Sequence, residues 1–189
     1  MQSFVDQARK NGVTLFIKGN CQFCGADYQK GIFECMDHYN TWLGLLDFSK
    51  PQYRLFKFLS VDAHALQHPE IHGRWSNHFH LARLHLILER KQQWDYKMSP
   101  LLSDFLNEYK SKRPLDFFSI PKPLERGKTT AKHLTGTTTA IECVDLIKNW
   151  AEEVYFAWSS NLTLVSQIAD GFLARNDISK IHENRTKSR

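Results

Sequence analysis

Ser49-Lys50-Pro51-Gln52-Tyr53-Arg54-Leu55-Phe56-Lys57-Phe58-Leu59-Ser60-Val61-Asp62-Ala63-His64-Ala65-Leu66-Gln67-His68-Pro69 sets the fold class. Ser49-Lys50-Pro51 is a helix start, with Pro51 in the first turn, where its missing N–H costs nothing. Leu55, Phe58, Leu59, Ala65 and Leu66 recur at helical spacing. Pro69 then biases His68 away from helix and ends the element. His64 and His68 stand four apart and share a face.

The same periodicity extends in both directions. Met36, Tyr39, Trp42, Leu43, Leu45 and Leu46 suit a helix over Phe33–Phe48 better than strand alternation. Ser76 is an N-cap for a helix through about Gln92, with Leu81, Leu84 and Leu88 on its apolar face. Ser99-Pro100 opens another, to about Lys110. Thr139–Ala174 reads as a final helical region broken near Ser159-Ser160-Asn161. At the N-terminus, Ser3–Lys10 is a short helix stopped by Asn11-Gly12, and the β-branched, aromatic Val13–Lys18 reads as a strand. The expectation is a mainly α fold. A single helical domain covers 1–175, with a long irregular loop over 113–138 before the C-terminal helices and a flexible tail over 176–189.

With 189 residues, 42% hydrophobic and 13% aromatic, the chain can bury a core without disulfide help. No apolar run approaches the roughly 20 residues of a membrane span, and the first residues do not have the pattern of a secretory signal. A cytoplasmic protein without membrane contact is therefore expected, its four cysteines serving as ligands or thiols in a reducing compartment. Seven cations, Lys110, Lys112, Arg113, Lys122, Arg126, Lys128 and Lys132, face only Asp116 and Glu125 in the segment 110–132. That local surplus equals the whole chain's formal charge of +5. It is either a solvated loop or a contact surface for nucleic acid or an acidic protein.

Cys21-Gln22-Phe23-Cys24-Gly25 has the spacing of a metal knuckle, because two thiolates two residues apart can turn toward one ion and glycine permits the tight turn. Thiol–disulfide enzymes share that spacing. Here, however, Cys35 and His38 follow closely, which favours a structural zinc site over residues 19–38. The fourth ligand stays open: His38 is the neighbour by spacing, while His64 and His68 lie on the next helix. Three cysteines and one histidine fill a tetrahedral shell and leave no position for a substrate. The remaining histidines, His72, His78, His80 and His85, with Asp62 and Glu89, raise the idea of a second, catalytic metal. His80 and His85 are five apart, a poor helical match. His133 is isolated in the loop and receives no role.

Cys21-Gln22-Phe23-Cys24-Gly25-Ala26, Glu34-Cys35-Met36-Asp37-His38-Tyr39 and Val61 through Pro69 resemble successive blocks of a bacterial zinc-knuckle family of unknown function. His80-Leu81, Leu88-Glu89-Arg90 and Trp150 through Ser159 resemble later blocks of its longer members, so the likeness covers roughly 19–165. It implies that Cys21, Cys24, Cys35 and His68 act as one unit. The chain departs from the family where Lys57, Ser160 and Asn161 stand in place of histidines. These departures point away from an enzyme. The leading expectation is a zinc-stabilised helical binding or adaptor protein with a protein partner. The alternatives are a nucleic-acid-binding accessory protein, whose tail residues Lys180, Arg185, Lys187 and Arg189 would add phosphate contacts, and a metal-dependent enzyme using the His64–His85 cluster.

Overall fold

The computed structural model describes residues 2–43, 46–112, 114–137 and 139–176. Among them the chain forms eight α-helices and no strand: α1 (Gln2–Lys10), α2 (Gly31–Leu43), α3 (Pro51–Gln67), α4 (Arg74–Leu88), α5 (Met98–Lys112), α6 (Ala131–Leu134), α7 (Ala140–Ala157) and α8 (Leu162–Asn176). Short 3₁₀ turns at Pro69–Ile71 and Ser159–Asn161 divide α3 from α4 and α7 from α8. The mainly helical expectation holds, as does the break near Ser159. Arg113, Leu45 and the tail beyond 176, with Lys180, Arg185, Lys187 and Arg189, lie outside the described residues.

The helix ends follow local chemistry. Pro51 occupies the first turn of α3, and His68 leaves helical geometry immediately before Pro69. At α7 the Thr139 hydroxyl accepts from the Glu142 N–H at 3.2 Å while Thr139 N–H donates to the Glu142 carboxylate at 3.2 Å. This reciprocal cap satisfies two donors that a helix start would otherwise leave bare. Sequence placed the start of α4 at Ser76, but the helix begins at Arg74 after Gly73. The strand expected over Val13–Lys18 does not form. No neighbouring segment offers it a ladder, Phe16 and Ile17 stay exposed, and the only pairing nearby is an isolated bridge between Gly19 and Lys30.

Helix α3 packs broadly on α7 and α4, and α4 also meets α8 and α5. These helices enclose the main core, in which Trp42, Trp150, Trp158, Leu66, Leu81, Leu84 and Phe172 are fully buried. The Trp158 indole N–H donates to the Leu66 carbonyl at 3.1 Å, so α7 satisfies one of the open carbonyls at the end of α3. A second, smaller core lies at the N-terminal end, formed by Phe4, Ala8, Phe23, Ile32 and Ile71 around three buried cysteines.

The segment expected to be one long loop is mostly irregular but includes α6. Thr130 caps that helix through the His133 ring, whose Nδ1 accepts from Thr130 N–H at 3.1 Å. His133, given no role from sequence, is thus a capping residue. The loop is anchored inward at Arg126, which is 1% exposed. Its guanidinium donates to the Gln67 carbonyl at 3.0 Å, the Glu70 carboxylate at 2.8 Å and the Pro121 carbonyl at 2.8 Å. The Glu153 carboxylate accepts from Lys128 N–H at 2.7 Å and Thr129 N–H at 2.8 Å, which draws the same loop onto α7.

Candidate metal centre

Three segments build the site. The chain turns tightly at Cys21–Gly25, where Gly25 N–H donates to the Cys21 carbonyl and Cys21 N–H to the Ala26 carbonyl, both at 2.9 Å. Gly25 has φ +77°, a conformation that side chains rarely adopt, and the turn leaves both Cys21 and Cys24 facing inward. Gly31 opens α2 with φ +55°, and a Cβ there would lie 2.4 Å from the Phe16 carbonyl oxygen, so only glycine fits. Glu34 steadies the entry to α2, its carboxylate accepting from Gln29 N–H at 2.8 Å and Lys30 N–H at 3.0 Å. Those backbone hydrogen bonds hold its pKa below the usual range. Cys35 follows one residue later on the buried face. The third segment is the end of α3, which presents His68.

Cys21, Cys24, Cys35 and His68 converge, with their candidate ligand atoms all within 4.8 Å of one another. All four are buried, Cys24 being the most exposed at 8%. The Cys24 and Cys35 sulfurs are 3.8 Å apart, and His68 Nε2 lies 3.5 Å from the sulfurs of both Cys21 and Cys35. His68 Nδ1 donates to the His64 carbonyl at 2.6 Å, which places its proton on Nδ1 and aims Nε2 at the sulfurs. Hydrogen bonds with Cys24 and Cys35 hold the Cys21 thiol well below its ordinary range, whereas hydrogen bonding with Cys21 and Cys24 pushes Cys35 up. Burial opposes a charge on His68, but hydrogen bonds to Cys21 and Cys24 outweigh it and raise the ring to about 10. Once their protons are released, the three cysteine sulfurs and the Nε2 lone pair of a neutral His68 are a set of donors that could hold a metal ion.

The other candidate ligands fall elsewhere. His38 sits on the outer side of α2, 3.9 Å from Glu34 and edge-on to Tyr28, away from the cysteines. His64 is buried beside the group, its ring stacked on Tyr39 with centroids 4.0 Å apart and its Nε2 4.0 Å from the Cys35 sulfur. Burial drives its pKa well down, so the ring stays neutral. It supports the site through its carbonyl to His68.

No second group of this kind occurs among the described residues. His80 donates through Nδ1 to Asp62 at 2.7 Å, and Arg83 grips the same fully buried carboxylate at 2.8 and 3.1 Å. His85 instead meets Tyr155 at 2.6 Å and Ser166 at 3.3 Å. The His64–His85 cluster suggested by sequence is therefore distributed among separate partners. Asp62 and Arg83, an internal ion pair linking α3 to α4, gave no sign of pairing in sequence. Lys57 lies 5.7 Å from the centroid of the Tyr96 ring and 6.0 Å from that of Phe48. Asn161 clamps Ser119, accepting from its N–H at 2.8 Å and donating to its carbonyl at 3.0 Å.

Among the cations singled out as contacts, Arg126 is corrected to an internal anchor, because every direction its guanidinium faces is protein. Lys112 pairs with Glu108 at 2.6 Å, and Lys132 with Asp27 at 3.2 Å. Lys110, Lys122 and Lys128 remain exposed.

The turn, α2 and the end of α3 all fall within residues 19–159, the span matched by the model of a family of unknown function, DUF5946. The chain belongs to the DUF5946 family. No curated protein and no solved structure matches it. The DUF5946 span contains all four converging residues and ends in the turn before α8. Among the described residues no helix is long and apolar enough to cross a membrane.

Proposed function

We propose that Cys21, Cys24, Cys35 and His68 hold one zinc ion in a closed structural site, and that the helical domain so fastened works as a binding or adaptor protein. The separations between ligand atoms carry the first half. With Zn–S near 2.3 Å and Zn–N near 2.0–2.1 Å, a tetrahedral shell has edges of about 3.8 Å between sulfurs and about 3.5 Å from sulfur to nitrogen. The observed separations are 3.8 Å for Cys24 to Cys35 and 3.5 Å from His68 to Cys21 and to Cys35. Four buried protein ligands leave no open coordination position, which supports a structural role over a catalytic one. When bound, the ion supplies the positive charge that lets three buried sulfurs stay deprotonated together. His68 is already oriented for it by the His64 carbonyl.

The binding role draws on the outer face of the 113–138 loop. Phe117 is 81% exposed and Leu124 65%, and Lys122 and Lys128 of the same loop are exposed as well. Exposed rings and aliphatics interspersed with lysines make a contact surface for an acidic protein. The same lysines would suit phosphates, which keeps nucleic acid as the second reading.

Metal analysis of the purified chain should give one zinc per molecule, and chelation should lower its melting temperature. A melt unchanged by chelation defeats the zinc site. For the loop, Lys110→Glu, Lys122→Glu and Lys128→Glu together should abolish recovery of a protein partner. Binding to nucleic acid at low salt, lost steeply as salt rises, would favour the second reading instead.

A further inference from the structure

Residues 13–18 have the composition of a strand and no strand beside them, yet one of their two edges is occupied. The Gln22 side-chain amide, which projects from the cysteine turn, donates to the Thr14 carbonyl at 2.9 Å and accepts from Phe16 N–H at 2.6 Å. A carbonyl and the N–H two residues further on meet one amide in this way along an extended chain. The Phe16 carbonyl is directed inward too, against Gly31. In an extended chain the groups of neighbouring residues leave from opposite edges. The N–H and C=O of Leu15 and Ile17 therefore leave from the outer edge, and they form no hydrogen bond with any described residue. Phe16 is 58% exposed and Ile17 65%. Backbone groups spaced as in a strand and left unpaired are a template for another strand.

Charge selects which strand. Residues 7–26 contain Arg9, Lys10 and Lys18 and no acid. The acids on adjoining segments are engaged or outnumbered. Asp6 pairs with Arg9 at 3.5 Å, Asp27 with Lys132 at 3.2 Å, and Glu70, whose carbonyl the Asn11 amide meets, holds Arg126 at 2.8 Å. Glu125, on the loop that bonds to the Phe23 carbonyl, stands between Lys122 and Lys128. Lys10 before the segment and Lys18 at its end are exposed, with no ion pair among the described residues. A second copy docked edge to edge would set two positive strips side by side, whereas an acidic strand neutralises the one.

We propose that residues 13–18 are the docking edge for an extended, acidic segment of another protein, which adds to the chain as a strand through the backbone of Leu15 and Ile17. This rests on the reading of the chain as a binding protein, but the edge takes no residue from the 113–138 loop.

NMR titration of the isotope-labelled full chain with the capped hexapeptide Glu-Val-Thr-Val-Thr-Glu tests this, against a counterpart with lysine at both ends. The acidic peptide should shift the Leu15 and Ile17 amides and protect them from exchange, and the lysine peptide should bind about tenfold more weakly. Ile17→Pro removes a donor at an exposed, unpaired position, so the fold stands, and it should weaken the acidic peptide about tenfold. Lys18→Glu should weaken it about fivefold. The combined Lys110→Glu, Lys122→Glu, Lys128→Glu chain should still bind it, which separates this edge from the loop. No shift at Leu15 and Ile17, equal binding of the two peptides, or binding unchanged by Ile17→Pro would each overturn the proposal. So would self-association of the free chain that protects the same two amides.

Discussion

The two cores of this chain are held by different means. The large one, between α3, α4, α7 and α8, buries three tryptophans completely and draws its residues from long helices. The small one is assembled from α1, a tight turn, the start of α2 and a 3₁₀ turn, and three of its buried side chains are cysteines. Apolar burial favours folding roughly in proportion to area, so the first region has ample driving force of its own. The second has little area, and its polar interior is stable only if the sulfurs and His68 are satisfied together. α2 and α3 cross both regions: Cys35 and Trp42 share α2, while Leu66 lies two residues before His68. A shared helix is how an ion held in the small core, as proposed, would be felt by the large one.

Removing the proposed ion should separate the two most clearly. Cys21→Ser or Cys35→Ser is expected to lose the metal and cost more than about 4 kcal/mol, as loss of a structural metal does. Amide exchange should rise first around Cys21–Ile32 while α7 and α8 remain protected. Uniform loss of protection would erase the distinction between the cores. Trp150→Ala attacks the other side and should cost about 3–5 kcal/mol by opening a cavity. Its metal content under folding conditions should remain one ion per chain.

Arg126→Met tests the strut between loop and α3. It leaves Glu70 and the Gln67 carbonyl without their partner and should cost about 2–3 kcal/mol in urea unfolding. If nucleic acid is bound at all, this change should leave the binding intact, since Arg126 does not reach the surface.

Acid should also act unequally. Burial, with the nearby rings of His80 and His68, depresses His72 to about 3 from its usual 6.5. Below pH 6.5 the unfolded chain therefore takes up a proton that the folded chain refuses. This contribution is complete above that pH and is lost progressively toward pH 3. Urea midpoints measured from pH 7 to 4.5 should fall, and His72→Phe should flatten the slope. The smallest change is Thr139→Ala, which removes the cap of α7 at a cost of about 1 kcal/mol, read as a modest drop in melting temperature.

Much of the helical frame was legible because it depends on local signals. Pro51, Pro69 and Ser159-Ser160-Asn161 mark boundaries wherever the helices later pack. The cysteine trio was legible from spacing. Spacing alone left the fourth member open, because His38 and His68 differ only in which helix lies against which turn; the resemblance to the family blocks is what pointed to His68, and the structure brings it to the cysteines. Arg126 misled for a related reason. A basic residue in a proline-rich loop reads as solvated until Glu70 and the end of α3, far away in sequence, are seen to surround it. Val13–Lys18 had the composition of a strand but no partner to pair with, and strand propensity without a partner counts for little.

The positions of the four converging residues along the chain also set an order of events. The three cysteines fall between positions 21 and 35, whereas His68 comes 33 residues after Cys35. During synthesis the thiols emerge together, and closing their short loops is cheap compared with recruiting α3. An ion captured early would sit in a three-sulfur nest with one side open until the end of α3 arrives. His68 is then the closing step, and its docking reports that the N-terminal segment has found the correct helix.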